Sequence, residues 1–324
     1  MQAVILAAGK STRTYPLTLT RPKPLLKVAN KTLLEHNLDN LTGIADEAII
    51  VVGYKKNLIK KYIGSKYKNI KIRYVEQKQQ LGTGNALLAA EGHIKNGFIS
   101  LYGDDIYSRE DFKNILKNKY AILTAKAENP GLFGVIVEEN NILANITEKP
   151  QKFISHSVNA GLYKLDKQIF SIIKNLKKSK RCEYELTDAI NELAKTKKIL
   201  CIGSKQWIPI GFAPDLFKAD KILRKNRNII GKNSKIYGNV RNSSVGNNCV
   251  IKGNVYNSII MDNVIIDENS SVNRSIIGEK AYISGKISGS VIADNAKLKN
   301  VVVKECKIWP NKAISGKTME NDVQ

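Results

Sequence analysis

Cations and prolines crowd the segment LAAGKSTRTYPLTLTRPKPLL, residues 6–26, directly after the apolar run AVILAA. Its cations are Lys10, Arg13, Arg21 and Lys23. Gly9 and its small neighbours allow backbone N–H groups to approach phosphate oxygens, and the cations can add charge-assisted hydrogen bonds. The prolines stiffen the segment and so hold the cations in place. These residues predict phosphate binding, although a strand-to-helix turn with surface cations stays open.

The bulk composition is that of an ordinary globular protein. With 324 residues, 43% hydrophobic and 25% charged, the chain is long enough for two domains. No segment approaches the roughly 20 consecutive apolar residues of a membrane helix. The four cysteines lack CxxC spacing, which favours reduced thiols over a zinc site. We therefore expect a cytoplasmic protein with no membrane partner.

The net charge of +23 is the unusual bulk property. It would suit nucleic acid, an acidic surface or phosphorylated small molecules. The lysines are spread over stretches such as KKNLIKKYIG and NLKKSKR, and they do not gather with aromatic residues into one stripe. This pattern favours solvated lysine faces and no nucleic-acid partner. The nucleic-acid alternative would require affinity that falls steeply with salt.

Short β-branched runs alternate with helical patterns up to about residue 205. The predicted strands are QAVILAA, EAIIVVG, IKIRYVEQ, FISLYGDD, YAILTAKA, FGVIVEE, SVNAGLYKL and KILCIG. Between them, TLLEHNLDNL places leucines on one helical stripe. The alternation predicts an α/β fold with a Rossmann-like, mixed but mainly parallel sheet. Ligands of such sheets bind at the carboxyl ends of the strands, where residues 6–13 lie.

An internal repeat follows residue 229. Aliphatic residues recur at 230, 245, 260, 277 and 292, and a second series recurs at 236, 251, 266, 283 and 298. Repeats of this length with hexapeptide-like steps predict a short parallel β-helix whose coils stack on their neighbours. We therefore predict a domain over residues 1–228, ending in a linker helix at about 214–228, and a β-helix domain over 229–324.

The segment of residues 6–26 resembles the signature LAAGxGTRLxPLTxxxPKPL of sugar-1-phosphate nucleotidyltransferases. The resemblance extends along the chain and implies that the β-helix is left-handed. It implies Mg²⁺-dependent transfer of a nucleotidyl group from UTP or dTTP to glucose-1-phosphate or N-acetylglucosamine-1-phosphate, with pyrophosphate leaving. The sugar phosphate would attack the α-phosphorus in line, without a covalent intermediate. The stretch QLGTG is closer to uridylyltransferases and favours UTP.

The resemblance also implies which residues bind the nucleotide and the metal. Arg13 and Lys23 would contact the triphosphate and, with Lys149, stabilise charge in the transition state. Asp104 in LYGDD would hold Mg²⁺, although a lone aspartate at a strand end is more often a helix cap. The implied nucleotide-binding residues are Ala7, Ala8, Gly9, Ser11, Thr12, Arg13, Lys23, Gln77, Gly82 and Thr83. Gln77 would face the pyrimidine edge.

The sugar side of the site is implied by the stretches FGV, ITEKP, VNAGLY and CEYELTDAI. The implied sugar-binding residues are Gly134, Glu148, Lys149, Asn159 and Glu183. Lys149 would contact the sugar phosphate. Without the resemblance, Glu148 and Lys149 would be only a surface pair at a strand end.

Three positions depart from the family pattern. Ser11 replaces the second glycine of the signature, and Cys182 replaces the glycine before EYELTD. Pro209 in WIPIG stands where relatives carry the second aspartate that binds Mg²⁺. Asp105, water or a substrate phosphate would have to replace that carboxylate. An alternative follows: a weakly active or inactive paralogue that serves as a nucleotide-sugar-binding regulatory subunit.

The repeat domain contains none of the histidines of the chain, which are His36, His93 and His156. Acetyltransferases with related β-helices use a histidine base, so we predict no acetyltransferase activity. We expect the β-helix to mediate homo-oligomerisation instead.

Overall fold

The computed structural model of this chain describes residues 1–324. The chain forms two compact units, each built from two segments. The first unit contains Met1–Lys10 and Leu34–Pro209, and the second contains Ser11–Leu33 and Ile210–Gln324. Most of the cation-rich segment therefore belongs to the same unit as the repeats. The domain boundary expected after residue 228 stays a prediction.

The helices and the strands of the N-terminal two thirds are short. The helices are α1 (Leu33–Leu41), α2 (Lys56–Ile63), α3 (Thr83–Leu88), α4 (Arg109–Ile115), α5 (Gln168–Lys174), α6 (Leu186–Ala194) and α7 (Ala213–Leu223). The strands are β1 (Gln2–Ala7), β2 (Lys27–Val28), β3 (Lys31–Thr32), β4 (Glu47–Val52), β5 (Lys66–Tyr67), β6 (Ile70–Glu76), β7 (Phe98–Tyr102), β8 (Ile106–Tyr107), β9 (Ala121–Lys126), β10 (Gly134–Glu139), β11 (Ile142–Glu148), β12 (Ser157–Leu165), β13 (Leu200–Gly203) and β14 (Trp207–Ile208). No helix is long and apolar enough to cross a membrane.

Ten strands of the first unit form one mixed sheet in the order β10-β11-β13-β9-β12-β7-β1-β4-β6-β5. Strands β7, β1, β4 and β6 are parallel neighbours, and β9 is parallel to β13. Strand β12 runs antiparallel to both β7 and β9. The predicted α/β fold with a mixed sheet is confirmed, but the sheet is not mainly parallel. Four neighbouring pairs are parallel and five are antiparallel, because β12 inserts between β7 and β9 and the strands β10, β11 and β5 pair as antiparallel neighbours.

The carboxyl ends of the parallel strands meet at one edge of this sheet. The N–H of Gly103, directly after β7, donates to the carbonyl of Leu6 in β1 at 2.9 Å. Strand β1 is buried from Ala3 to Ala7 because its side chains are apolar, and the predicted stripe of α1 is fully buried at Leu38 and Leu41. This packing fixes where the loops after β1 and β7 emerge, and with them the predicted site residues of the first unit.

The repeats of the second unit form short parallel strands. They are β15 (Ile229–Ile230), β16 (Lys235–Ile236), β17 (Val240–Arg241), β18 (Ser244–Val245), β19 (Val250–Ile251), β20 (Asn254–Tyr256), β21 (Ile259–Ile260), β22 (Ile265–Ile266), β23 (Ser271–Asn273), β24 (Ile276–Ile277), β25 (Tyr282–Ser288), β26 (Val291–Ile292), β27 (Lys297–Lys304), β28 (Lys307–Ile308), β29 (Ala313–Ser315) and β30 (Thr318–Met319). Ile230 pairs with Val245, Val245 with Ile260, and so on along both predicted series. The predicted β-helix is confirmed, and the arrangement is consistent with the left-handed form.

Polar ladders hold successive coils of the β-helix together. The hydroxyl of Ser243 accepts from the N–H of Ser258 at 3.0 Å, and the pattern continues at 3.1 Å through Ser275 and Ser290 to Cys306. These side chains are buried, so each hydroxyl satisfies a backbone donor that water cannot reach. Asparagines with positive φ, which tolerate this conformation better than most residues, occupy equivalent turns at 233, 248, 263, 295 and 311.

Candidate active site

The loop after β1 carries the first predicted nucleotide-binding residues. Ala7 and Ala8 are buried, whereas Gly9 is exposed. The carbonyl of Ala8 accepts from the N–H of Tyr54 at 3.0 Å and from Nε2 of Gln80 at 2.8 Å. These bonds fix the backbone where the chain leaves the sheet.

Gln77 follows β6 and is 7% exposed. Its Nε2 donates to the carbonyl of Gly82 at 3.0 Å and to Oδ1 of Asn85 at 2.9 Å. Two acceptors therefore occupy both N–H groups of the amide and fix its orientation. The remaining function of this amide is its oxygen, which can accept a hydrogen bond from a ligand N–H.

The glycine-rich stretch at Gly82 and Thr83 packs against the predicted sugar-side stretch at 183–186. The N–H of Tyr184 donates to the carbonyl of Leu81 at 2.8 Å, and Oγ1 of Thr83 accepts from the N–H of Leu186 at 3.0 Å. Gly82 has φ of 105°, and a Cβ there would lie 2.7 Å from the carbonyl oxygen of Tyr184. Only glycine fits this close approach. The structure thus brings Gly82 and Thr83 next to Glu183.

Charged side chains meet between β11 and α6. Gly134 pairs with Glu148 across β10 and β11, and a Cβ at 134 would lie 3.1 Å from the Glu148 carboxylate. Arg181 approaches Glu148 at 3.4 Å, Glu185 at 3.2 Å and Glu183 at 3.9 Å. Burial raises the pKa of Glu148 and of Glu185, and the nearby cations only partly offset it. This cluster can present carboxylates to hydroxyl groups.

The two remaining sugar-side residues differ in exposure: Lys149 is exposed and Asn159 is buried. Lys149 is exposed directly after β11, with φ of 45° in the left-handed region. Asn159 lies in β12 and is 6% exposed. Its Nδ2 donates to the Tyr163 hydroxyl at 2.6 Å, and its Oδ1 accepts from the N–H of Gly161 at 2.9 Å. Both ends of this amide are thus already held by the strand.

The predicted metal ligand Asp104 follows β7 and is half-buried. Strand β8 pairs antiparallel with β14, with Ile106 opposite Ile208, and Asp105 and Pro209 are the residues next to this pair in the sequence. Oδ2 of Asp105 accepts from Nε1 of Trp207 at 3.0 Å. No three His, Cys, Asp or Glu side chains are grouped to hold a metal ion. Mg²⁺ often binds one or two carboxylates and completes its octahedral coordination with water and phosphate oxygens. The adjacent residues Asp104 and Asp105 can supply such carboxylates.

The second unit carries the other predicted phosphate contacts. Ser11 has φ of 53°, and its carbonyl accepts from the hydroxyls of Thr14 and Thr18, each at 2.8 Å. Thr12 and Arg13 are exposed, and the Arg13 guanidinium lies 5.1 Å from the ring centroid of Phe212. Lys23 is buried, with 3% exposure.

Carboxylates of the β-helix hold the second half of the cation-rich segment. Arg21 forms ion pairs with Glu279 at 2.7 Å and with Asp294, and Lys27 pairs with Asp262 at 2.5 Å. Burial alone would lower the pKa of Arg21. The carboxylates of Asp294 and Glu279 outweigh this effect, so the pKa of Arg21 is raised overall. Arg21 is therefore a structural cation of the second unit.

Sequence reasoning missed Arg181 and the three carboxylates that anchor this segment. Arg181 lies in an irregular stretch before EYELTD, where nothing in the local pattern marks it. The carboxylates Asp262, Glu279 and Asp294 occupy equivalent positions of successive repeats, and backbone N–H groups of the preceding coil bond to Asp262 and Asp294 at 2.9 and 2.8 Å. A repeat alignment that tracked charge as well as aliphatic residues could have found them.

Comparisons with known proteins agree with this architecture. The Nucleotidyl transferase family model matches residues 2–226, and the GMPPB C-terminal domain model matches residues 219–324. The solved structure of UDP-glucose pyrophosphorylase complexed with UDP-glucose is similar with a TM-score of 0.63 and 25% identity, covering 70% of this chain and 99% of that chain.

Two curated relatives illustrate the range of similarity. The bifunctional protein GlmU of Methanocaldococcus jannaschii is 40% identical over 238 residues, 72% of this chain and 57% of that protein. The chain thus spans less than two thirds of that relative. UTP–glucose-1-phosphate uridylyltransferase AglF of Haloferax volcanii is 31% identical over 69% of this chain and 97% of that protein. With more than half of its residues matched by one family model, this chain belongs to the nucleotidyl transferase family.

Proposed function

We propose that the chain transfers a nucleotidyl group from a pyrimidine nucleoside triphosphate, UTP or dTTP, to a sugar-1-phosphate. Glucose-1-phosphate and N-acetylglucosamine-1-phosphate are the sugar substrates to test first. The observation that carries the proposal is the hydrogen-bonded junction of residues 81–84 with 184–186. This junction joins the segment that would bind the pyrimidine base to the carboxylate cluster that would bind sugar hydroxyls, and both lie in the first unit.

The proposed base reading rests on Gln77. Both of its N–H groups are donated to Gly82 and Asn85, so its oxygen accepts from a ligand. Uracil and thymine carry a donor at N3, whereas cytosine carries an acceptor there, so the fixed amide favours UTP or dTTP over CTP. The Haloferax relative is named as a UTP–glucose-1-phosphate uridylyltransferase, which supports UTP as the first choice.

The proposed chemistry is an in-line displacement. An oxygen of the sugar phosphate attacks the α-phosphorus, the new P–O bond forms as the bond to pyrophosphate breaks, and no proton is transferred. Lys149 orients the sugar phosphate, Glu148 and Glu183 accept from sugar hydroxyls, and Arg13 and Lys23 neutralise triphosphate charge. Mg²⁺ at Asp104 would supply further charge neutralisation. The backbone N–H groups at Ala7, Ala8, Gly9, Ser11 and Thr12 would serve as the phosphate-binding loop.

A coupled assay of pyrophosphate release tests this reaction. UTP, dTTP and CTP are each combined with glucose-1-phosphate, N-acetylglucosamine-1-phosphate or neither, in the presence of Mg²⁺. We expect release that requires a sugar phosphate and that fails with CTP. Glu148→Gln should raise the KM for the sugar phosphate at least tenfold, whereas the exposed control Glu139→Gln should not. Binding of UTP without turnover with any sugar would contradict the proposal.

Pro209 supports a second candidate function. The residue has no side-chain oxygen, and it directly follows Ile208, which pairs with Ile106 two residues after the predicted metal ligand Asp104. A chain that binds nucleotide sugars but turns over weakly or not at all would act as a regulatory subunit of an active relative. Binding of UDP-glucose with no pyrophosphate release would select this alternative.

We also propose that the β-helix mediates self-association. Ile230 and Ile236 belong to the inward-pointing series, yet they are 43% and 36% exposed because no coil precedes them. The neighbouring Tyr237 is 68% exposed. Light scattering after size exclusion should show an oligomer that Ile236→Glu dissociates. A monomer at the working concentration would contradict self-association.

A further inference from the structure

A cavity of about 480 Å³ opens in the first unit at the sheet edge opposite the predicted nucleotide site. It lies where β7 begins and β12 ends, next to Gly97 and Leu165. Asp104 follows the other end of β7, and a strand rises about 3.3 Å per residue. Seven residues therefore separate Gly97 from Asp104 by roughly 20 Å. The cavity is thus distinct from the site described above.

Lysines dominate the charge of this cavity. Its charged lining residues are Lys95, Lys119, Lys164, Lys167 and Asp166. Oδ1 of Asp166 accepts from the N–H of Gln168 at 2.9 Å, and its Oδ2 accepts from the Tyr120 hydroxyl. The only carboxylate is therefore bound to neutral donors, and the cations outnumber it four to one.

Lys164 is the buried member of this set. It lies in β12 opposite Ile99 of β7, and only 8% of the residue is exposed. Burial lowers the pKa of Lys164, and the charge of Asp166 acts on the ammonium in the opposite direction. A Cβ added at Gly97 would lie 2.6 Å from Nζ of Lys164, so the ammonium rests directly on the glycine. Covering most of this cationic side chain costs free energy, and an anion bound in the cavity that Lys164 lines would offset part of that cost.

We infer that this cavity binds a small phosphorylated anion, with Lys164 as the buried contact and Lys95, Lys119 and Lys167 as exposed contacts around its opening. Lysine ammonium groups bind phosphate as mobile point charges, and three surface lysines can adapt to one ligand. The volume lies within the range of small-molecule sites, about 300–1,000 Å³. The volume also admits a phosphorylated metabolite larger than the phosphate ion.

Calorimetric titration of the full chain with inorganic phosphate, at constant ionic strength set with chloride, tests this site. Lys164→Met keeps the length of the side chain and removes its charge, and we expect it to weaken one phosphate site at least tenfold. Gly97→Ala keeps every charge but places a methyl group against Nζ of Lys164, so it should weaken the same site. It replaces Lys164→Met as the test variant in case Lys164→Met does not fold. The exposed control Lys61→Met in α2 should leave the affinity unchanged.

A third variant separates this site from the proposed active site. Arg13→Gln should weaken phosphate binding at the predicted triphosphate contacts and leave the Lys164 site intact. Loss of phosphate binding in Arg13→Gln alone, with Lys164→Met and Gly97→Ala unchanged, would overturn the inference whether or not the chain transfers nucleotides. Equal small losses in Lys164→Met and Lys61→Met would also overturn it, because they would show only a general effect of net charge.

Discussion

Arg21 offers the sharpest test of how the cation-rich segment is held. Its side chain is 11% exposed and lies between Asp294, which is 8% exposed, and Glu279 at 2.7 Å. Arg21→Met keeps the length of the side chain but leaves two carboxylates facing one another without their cation. Removing one partner of a buried ion pair costs about 3–5 kcal/mol. We expect this cost to appear first as local opening of residues 20–32.

Hydrogen exchange of the full chain, resolved by peptide mass spectrometry, measures this opening. Each 1.4 kcal/mol is a factor of ten, so a loss of about 3 kcal/mol raises the opening constant about 100-fold. Arg73→Met is a matched control, because the pair of Arg73 with Glu47 has 40% exposure on the arginine and should contribute about 0–1 kcal/mol. Equal exchange of residues 20–32 in the two variants would refute the reasoning.

The rescue variant separates charge from geometry. Arg21→Lys keeps one positive charge but cannot contact two carboxylates through a planar fork. We expect its opening constant to lie between those of the wild-type chain and Arg21→Met. Because Lys23 follows two residues later, the KM for UTP should rise in the same order.

Three further predictions concern the candidate site, and a fourth concerns the β-helix. Pro209→Asp should lower the Mg²⁺ concentration for half-maximal pyrophosphate release about tenfold, because it adds a carboxylate ligand; an unchanged Mg²⁺ dependence would contradict this. Burial raises the pKa of Glu148, so kcat/KM for the sugar phosphate should fall as the pH decreases through that raised pKa, and Glu148→Gln should abolish this limb of the profile. Gly82→Ala should lower the free energy of unfolding in urea by about 1–3 kcal/mol, whereas Gly92→Ala, with open space at its Cβ, should not. Incubation with acetyl-CoA and glucosamine-1-phosphate should release no coenzyme A above background; release would contradict the predicted lack of acetyltransferase activity.

The sequence predicted those parts of the fold that repeat a simple pattern. The stacking of Val245 on Ile260 and of Ile251 on Ile266 follows from aliphatic residues that recur every fifteen to seventeen positions, because the inward-pointing positions of a β-helix require apolar side chains. Strand β12 was predicted at its observed bounds, and eight of its nine residues are buried. Such patterns can be identified in the sequence because they depend on residues that are close to one another along the chain.

The ion pairs that join distant segments could not be predicted in the same way. Arg21 and Asp294 are 273 positions apart, and nothing near either residue specifies the other. Arg21 sits among cations that all suit phosphate binding, and only the fold shows which one is held by carboxylates. The same limit applies to the pair of Arg181 with Glu148 in β11, which are 33 positions apart. The roles of the matched site residues stay predictions.

The most direct test of the account follows the α-phosphorus itself. UTP labelled with ³²P at the α-position is incubated with glucose-1-phosphate or N-acetylglucosamine-1-phosphate, Mg²⁺ and the full chain, and the products are separated by chromatography. The account predicts that the label moves into a UDP-sugar, with one pyrophosphate released for each labelled product. Label recovered only as UMP, or only as unreacted UTP under conditions where UTP is bound, would contradict it.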